Sequence, residues 1–207
     1  MTCLNKYPSI EDVFKKYEIT KTTRWVINYR NEMVTGSSPT LKTIMAAYPQ
    51  FPNGIYDWLN AYLVDLAIFD GKTASAVAYQ INSISHSIVE KYHYLKMTEI
   101  MLFFSMFKAG ELIDRHGDDL TKMYGTFSGK VILSALRNFV LNYRNNIIYE
   151  DEKQKHLAET KVDYTKYLAN VNFTKHEDKA KQEIVDNHNK EFLEKLKNEQ
   201  DTKGNGA

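Results

Sequence analysis

Cysteine is almost missing from this chain: Cys3 is the only one in 207 residues. No intrachain disulfide and no cysteine zinc site can staple the fold, so stability has to come from packing. Long apolar runs are missing as well. The richest segment, Ile100-Met-Leu-Phe-Phe, meets Ser105 and Lys108 within a few residues, far short of the ~20 that cross a bilayer, so no membrane is expected as a partner. The opening Met-Thr-Cys-Leu-Asn-Lys-Tyr-Pro lacks a basic stretch followed by an apolar one, as a secretory signal requires, and a cytoplasmic protein is expected. Charge of one sign is also scarce. The net charge is +1, which is too small to mark a polyanion-binding protein by composition alone. Residues 1–149 carry 16 Lys/Arg against 13 Asp/Glu, and residues 150–207 carry 11 against 13.

What is present is helical periodicity, punctuated by the few prolines and glycines. Ser9-Ile-Glu-Asp has the form of a capping box and predicts a short helix to about Tyr17. Thr20 or Thr22 then caps a second helix whose Trp25, Val26, Tyr29 and Met33 recur at helical spacing before Gly36-Ser-Ser-Pro breaks it. Thr40 begins a third, stopped at Tyr48 by Pro49, because proline disfavours the helical conformation of its predecessor. Ile55, Trp58, Leu59, Tyr62, Leu63, Leu66 and Ala67 form a clean amphipathic stripe. After Asp70-Gly71, a longer helix from Thr73 keeps the period with Val77, Ile81, Ile84, Ile88 and Leu95. From Thr98-Glu99 the chain enters a segment apolar on nearly every face through Phe107, which predicts the buried centre of a bundle.

Glu111 to Gly129 reads as a long loop with one helical turn or a short hairpin, since Gly117, Gly125 and Gly129 interrupt any period. Ser128 launches the last core helix, with Val131, Ile132, Ala135, Leu136, Phe139, Val140, Tyr143 and Ile147 in one stripe. After Glu150 the composition turns to Lys, Glu, Asp, Asn and Gln, too poor in apolar residues for a second core. Its Glu177–Lys181, Asp186–Lys190 and Glu191–Lys195 pairs support an exposed helix. The expectation is an all-α fold: a compact helical bundle over 1–149 and an extended charged helical C-terminal tail over 150–207, disordered in part.

No catalytic or metal motif stands out, and no cofactor is implied. Gly125-Thr-Phe-Ser-Gly129-Lys130 has the look of a phosphate-binding loop, but its glycines are too close together and Val131 follows where Ser or Thr is needed. It reads as a turn followed by an N-cap at Ser128. Asp114-Arg-His116-Gly-Asp118-Asp119 lacks the alternating ligands of a calcium loop and reads as a solvated acidic loop. Ser105 and Ser134 have no base and orienting acid that the sequence brings to them. A non-enzymatic protein is expected.

One row does point to a ligand. Lys130, Arg137 and Arg144 are seven residues apart on the last core helix, which keeps them on one slowly drifting face opposite the apolar stripe. Asn138, Asn142 and Asn145 lie near them. Cationic and amide side chains in such a row can track a phosphate backbone and contact bases or sugars. Rings among the 14 Tyr, 10 Phe and 2 Trp can stack on single-stranded bases where they are exposed. The plain alternative is a wet helix face. Lys130, Arg137, Asn138, Arg144 and Asn145 are the candidate nucleic-acid-binding residues.

Several motifs carry a resemblance: Ala47-Tyr48-Pro49, Trp58-Leu59, Tyr92-x-Tyr94-Leu95-Lys96-x-x-Glu99, Leu102-Phe103-Phe104-x-x-Phe107-Lys108-x-Gly110, Tyr124-Gly125-x-x-x-Gly129 and Ala135-Leu136-Arg137. Together they resemble a family of small uncharacterised proteins of phages and mobile elements of gut Bacteroidetes, over roughly half the chain. The Tyr-Pro, Trp and later helices also look like phage helicase-loading proteins. The resemblance implies a non-enzymatic accessory factor of phage or mobile-element DNA replication, with single-stranded or duplex DNA and a replication protein such as a helicase as partners. The host-cell cytoplasm is then the expected location. The alternative is a structural protein that self-associates or joins a virion. Glu111–Lys122 departs from the family pattern as an insertion, and no catalytic residue carries over.

Overall fold

In a computed structural model, residues 7–114, 116–160, 186, 187 and 190 are described. The chain divides into two units, Met1–His156 and Leu157–Ala207. The regular elements of the first are helices, and the fold is all-α as expected. Two isolated antiparallel bridges, Thr40 with Lys96 and Ile113 with Asp119, are the β pairing among the described residues. No described helix is long and apolar enough to cross a membrane. Most of the predicted charged tail, with its Glu177–Lys181 and Glu191–Lys195 pairs, lies outside the described residues, whereas Asp186 and Lys190 are described and helical.

The local signals act where the sequence places them. Helix α1, Ile10–Lys16, starts at a reciprocal box: Ser9 Oγ accepts the Asp12 N–H and Asp12 accepts the Ser9 N–H, both at 3.2 Å. Helix α2, Thr22–Tyr29, and the single turn α3, Glu32–Thr35, divide what the periodicity predicts as one helix. The second piece has tertiary partners. Thr98 Oγ1 donates to the Met33 carbonyl at 2.6 Å and Lys96 Nζ to the Val34 carbonyl at 2.5 Å, so α3 is held by partners far along the chain that satisfy its carbonyls.

Helix α4, Leu41–Ala47, is capped by Thr40 Oγ1 on the Thr43 N–H at 3.1 Å and stops before Pro49. Helix α5, Gly54–Phe69, buries all seven residues of its predicted stripe. Helix α6, Ala74–Tyr92, buries Val77, Ile81, Ile84 and Ile88, together with Ser85 and Val89. Leu95 is also buried but lies in the turn beyond α6.

Helix α7, Met97–Lys108, is the centre of the bundle. Each of its residues is buried except Ser105 and Lys108, as an all-round apolar helix requires. Phe103 meets Phe104, Phe107 and Phe139 at ring-centroid distances of 5.1, 5.9 and 5.8 Å, in the tilted and edge-on arrangements that aromatic quadrupoles favour. The end of α1 is tied to the same core, because the Tyr17 carbonyl accepts from Trp58 Nε1 at 2.9 Å and from the Tyr62 hydroxyl at 3.0 Å. Burial pushes the Tyr62 phenol well above its usual range.

The segment from Glu111 to Ser128 forms a hairpin-like loop, in which the Leu120 N–H donates to the Leu112 carbonyl at 2.9 Å. Helix α8, Gly129–Asn138, leaves that loop, passes through a π-helical segment, Phe139–Arg144, and continues as α9, Asn145–Thr160. The expected boundary at 149 therefore falls inside a continuous helix.

Candidate nucleic-acid interface

The start of α8 explains the glycine spacing before it. Gly125 turns the chain at φ +78°, a left-handed conformation that glycine adopts without steric cost. Ser128 Oγ then accepts the Val131 N–H at 3.4 Å, as an N-cap does. Gly129 sits so close to α6 that a Cβ there would lie 3.0 Å from Ile84 Cγ1. Further on, burial raises the phenol pKa of Tyr92, and the positive charge of Arg137 opposes that rise.

This packing leaves Lys130 and Arg137 exposed on α8, and no ion pair engages either among the described residues. Asn138 is half-buried beside Arg137. Ser134, Arg137, Asn138, Leu141 and Asn142 line one wall of a groove of about 250 Å³, with Asp114 and Leu120 of the hairpin-like loop opposite. The Asp114 carboxylate is engaged by its own loop: Oδ1 accepts the His116 N–H at 2.7 Å and the Asp118 N–H at 2.9 Å. Asp119 is likewise engaged, accepting from the Thr121 N–H and hydroxyl at 2.8 and 2.6 Å, and these bonds lower its pKa. The acidic loop shapes its own backbone, and no group of three metal-ligating side chains converges among the described residues.

Arg144, unlike Lys130 and Arg137, is engaged within the fold. Its Nε donates to Glu99 Oε1 at 2.8 Å, its guanidinium lies 5.9 Å from the centroid of the Tyr94 ring, and Nη1 reaches Asn145 Oδ1 at 3.4 Å. Arg144 is thus committed to the buried Glu99, while Asn145 stays exposed beside it. Arg144 is the last residue of the π-helical segment, whose turn is wider than that of an α-helix. A spacing of seven keeps one face only in an uninterrupted α-helix.

Glu99 is the residue that sequence reasoning passes over. Its side chain is fully buried at the start of α7, where Oε2 accepts the Lys96 N–H at 2.8 Å. Burial raises its carboxyl pKa, against the opposing pull of that hydrogen bond and of Arg144. The available signal was an acid set directly against an all-round apolar helix, which demands a cationic partner once buried.

A second groove flanks the other side of the π-helical segment. Tyr143 and Ile147 form its apolar floor, and Arg30 fixes the tyrosine: Arg30 Nε donates to the Tyr143 hydroxyl at 2.8 Å while the guanidinium pairs with Glu111.

No family model, curated protein or solved structure matches the chain. The site has to be read from its own chemistry.

Proposed function

We propose that this protein is a non-enzymatic nucleic-acid-binding adaptor, an accessory factor of phage or mobile-element DNA replication that brings DNA to a replication protein such as a helicase. The observation that carries the reading is the pairing of two exposed cations, Lys130 and Arg137, with the Ser134/Asn138/Asn142 wall of the adjoining groove. Cations without an intramolecular ion pair are available to phosphates, and hydroxyl and amide groups beside them supply donors and acceptors for sugars and base edges. Leu120 and Leu141 add apolar contact for a base. The replication setting rests on the family resemblance of the sequence motifs.

Fluorescence anisotropy with a short oligo(dT) strand at two salt concentrations tests the reading. Lys130→Ala and Arg137→Ala are each expected to weaken binding and to reduce the salt slope by about 0.7 for a single strand. Asn138→Ala is expected to weaken binding while leaving that slope unchanged. If the wild-type chain does not bind the strand, or if the Lys130→Ala/Arg137→Ala double variant binds as the wild type does, the reading is wrong.

A second reading, self-association or assembly into a virion, is favoured by a different surface. Ile68, Phe69 and Tyr124 are 62%, 66% and 87% exposed, and Lys72 Nζ, donating to the Gly125 carbonyl at 2.8 Å, ties the turn after α5 to the loop that carries Tyr124. Adjacent exposed apolar side chains of this kind mark interaction surfaces. In light scattering, this reading requires a defined oligomer that Phe69→Ser/Tyr124→Ser converts to monomer; a concentration-independent monomer counts against it.

A further inference from the structure

We propose that the groove beside α9 is a docking site for a basic, partly apolar peptide segment of a partner protein, distinct from the nucleic-acid-binding face. The groove holds about 550 Å³, the scale of a built ligand cleft. Its walls are helical: Asn31 stands at the break between α2 and α3, and α9 contributes Ile147, Glu150, Asp151 and Gln154 at successive turns of one face. A site on rigid helices loses little freedom when it is filled.

Charge selects the occupant. Glu150 and Asp151 line the groove, and no lysine or arginine lines it among the described residues. Arg30, which bonds the floor residue Tyr143, is already paired with Glu111. Phosphate is therefore repelled here, in contrast to the Arg137 groove, and a lysine or arginine side chain is the complement. Asp151 does carry a partner, Lys155 Nζ at 2.6 Å, but this is an i,i+4 pair with an exposed lysine, of a kind that contributes little and is readily exchanged for another cation. The remaining polar groups, Asn31, Thr35, Asn146 and Gln154, each present both a donor and an acceptor, as a peptide backbone does.

The floor selects further. Tyr143 and Ile147 are half-buried and offer an apolar surface to a side chain next to the cation. Tyr143 belongs to the π-helical segment, and such turns occur frequently at functional sites. The hydrogen bond from Arg30 sets its ring in place before any ligand arrives. A segment with apolar and basic residues interspersed matches floor and rim together.

The test is anisotropy of a short fluorescent Leu/Lys peptide with the full chain, using a Leu/Glu peptide of the same length as control. The net charge of +1 gives no general attraction for the cationic probe. Glu150→Gln/Asp151→Asn is expected to weaken Leu/Lys binding about tenfold, and Ile147→Ser is expected to weaken it as well. Glu90→Gln, an exposed change on α6, and Lys130→Ala/Arg137→Ala should leave it unchanged, which separates this proposal from the nucleic-acid reading. Absence of Leu/Lys binding, equal binding of the Leu/Glu peptide, full affinity in Glu150→Gln/Asp151→Asn, or displacement of the peptide by oligo(dT) would each overturn it.

Discussion

Arg144→Ala is expected to lower the stability of the protein by about 3–5 kcal/mol, the cost of leaving a buried charge without its partner. Glu99 is fully enclosed, and Arg144, 19% exposed at its side chain, is the cation that meets it, at 2.8 Å. Removing the guanidinium leaves the carboxylate with its hydrogen bond from the Lys96 N–H at 2.8 Å. Urea unfolding measures the loss, and a drop below about 1 kcal/mol, the range of exposed pairs, would show that the pair is not enclosed. Replacing both groups by apolar residues of similar size, Glu99→Leu/Arg144→Met, is expected to recover much of the loss, because the desolvation of both charges disappears with the charges.

The same pair sets a pH dependence. The folded-state pKa of Glu99 lies above its ordinary value of 4.5 because burial disfavours the charged form. The folded state therefore holds this proton more tightly than the unfolded chain does. The contribution is stabilising below pH 4.5 and is lost as the pH rises through the folded-state value. Arg144 opposes that rise, so Arg144→Ala should raise the folded pKa further and steepen the decline above pH 4.5. Glu99→Gln removes the titrating group, and urea midpoints of Glu99→Gln/Arg144→Ala should lose this component. Equal slopes in the single and double variants would disprove the assignment. A loss of DNA binding in Arg144→Ala has to be interpreted beside these melts, since the residue acts on the fold.

Phe103→Ala is the second large effect, with an expected loss of roughly 3–5 kcal/mol and a fall in Tm of about 10 °C for a chain of this size. The ring has no exposed surface and touches three other phenyl rings, one of them from the π-helical segment. Truncation removes both the transferred area and the contacts around the void. Phe103→Leu keeps most of the volume and should cost well under half as much. Thermal circular dichroism decides the matter: a Phe103→Ala variant that melts with the wild type would mean that α7 is not the interior helix.

These two residues show what was legible. Phe103 was readable because its segment is apolar on every face, and an all-round apolar helix in a chain without membrane-length runs has to be central. Glu99 was readable only as a helix entry. Its charge partner lies 45 positions away, and no local pattern connects them. The engagement of Arg144 was out of reach for a similar reason: Glu99 is distant in sequence, and Arg144 ends a segment, Phe139–Arg144, that takes the wider π turn. That turn serves tertiary partners, with Tyr143 reaching Arg30 and Arg144 reaching Glu99.

The nucleic-acid candidates divide along the same line. Lys130 and Arg137 share an unbroken α segment, so their spacing predicts their common face. The groove beside Arg137 could not be foreseen, because its opposite wall comes from a loop whose shape depends on Asp114 holding two backbone N–H groups. The groove beside α9 is further from local sequence still, since it joins residues at 31 and 143–154.

The sequence by itself determined the caps at Ser9, Thr40 and Ser128, the stripe of α5, the central position of α7, and the class of the fold. These depend on interactions within a few residues or on the periodicity of one helix. The tertiary structure alone decided which partners hold α3, which arginine is spent on Glu99, and which cations remain for a ligand. Those outcomes depend on burial and on partners brought together from distant parts of the chain, and burial is a property that a residue acquires only when the rest of the chain closes around it.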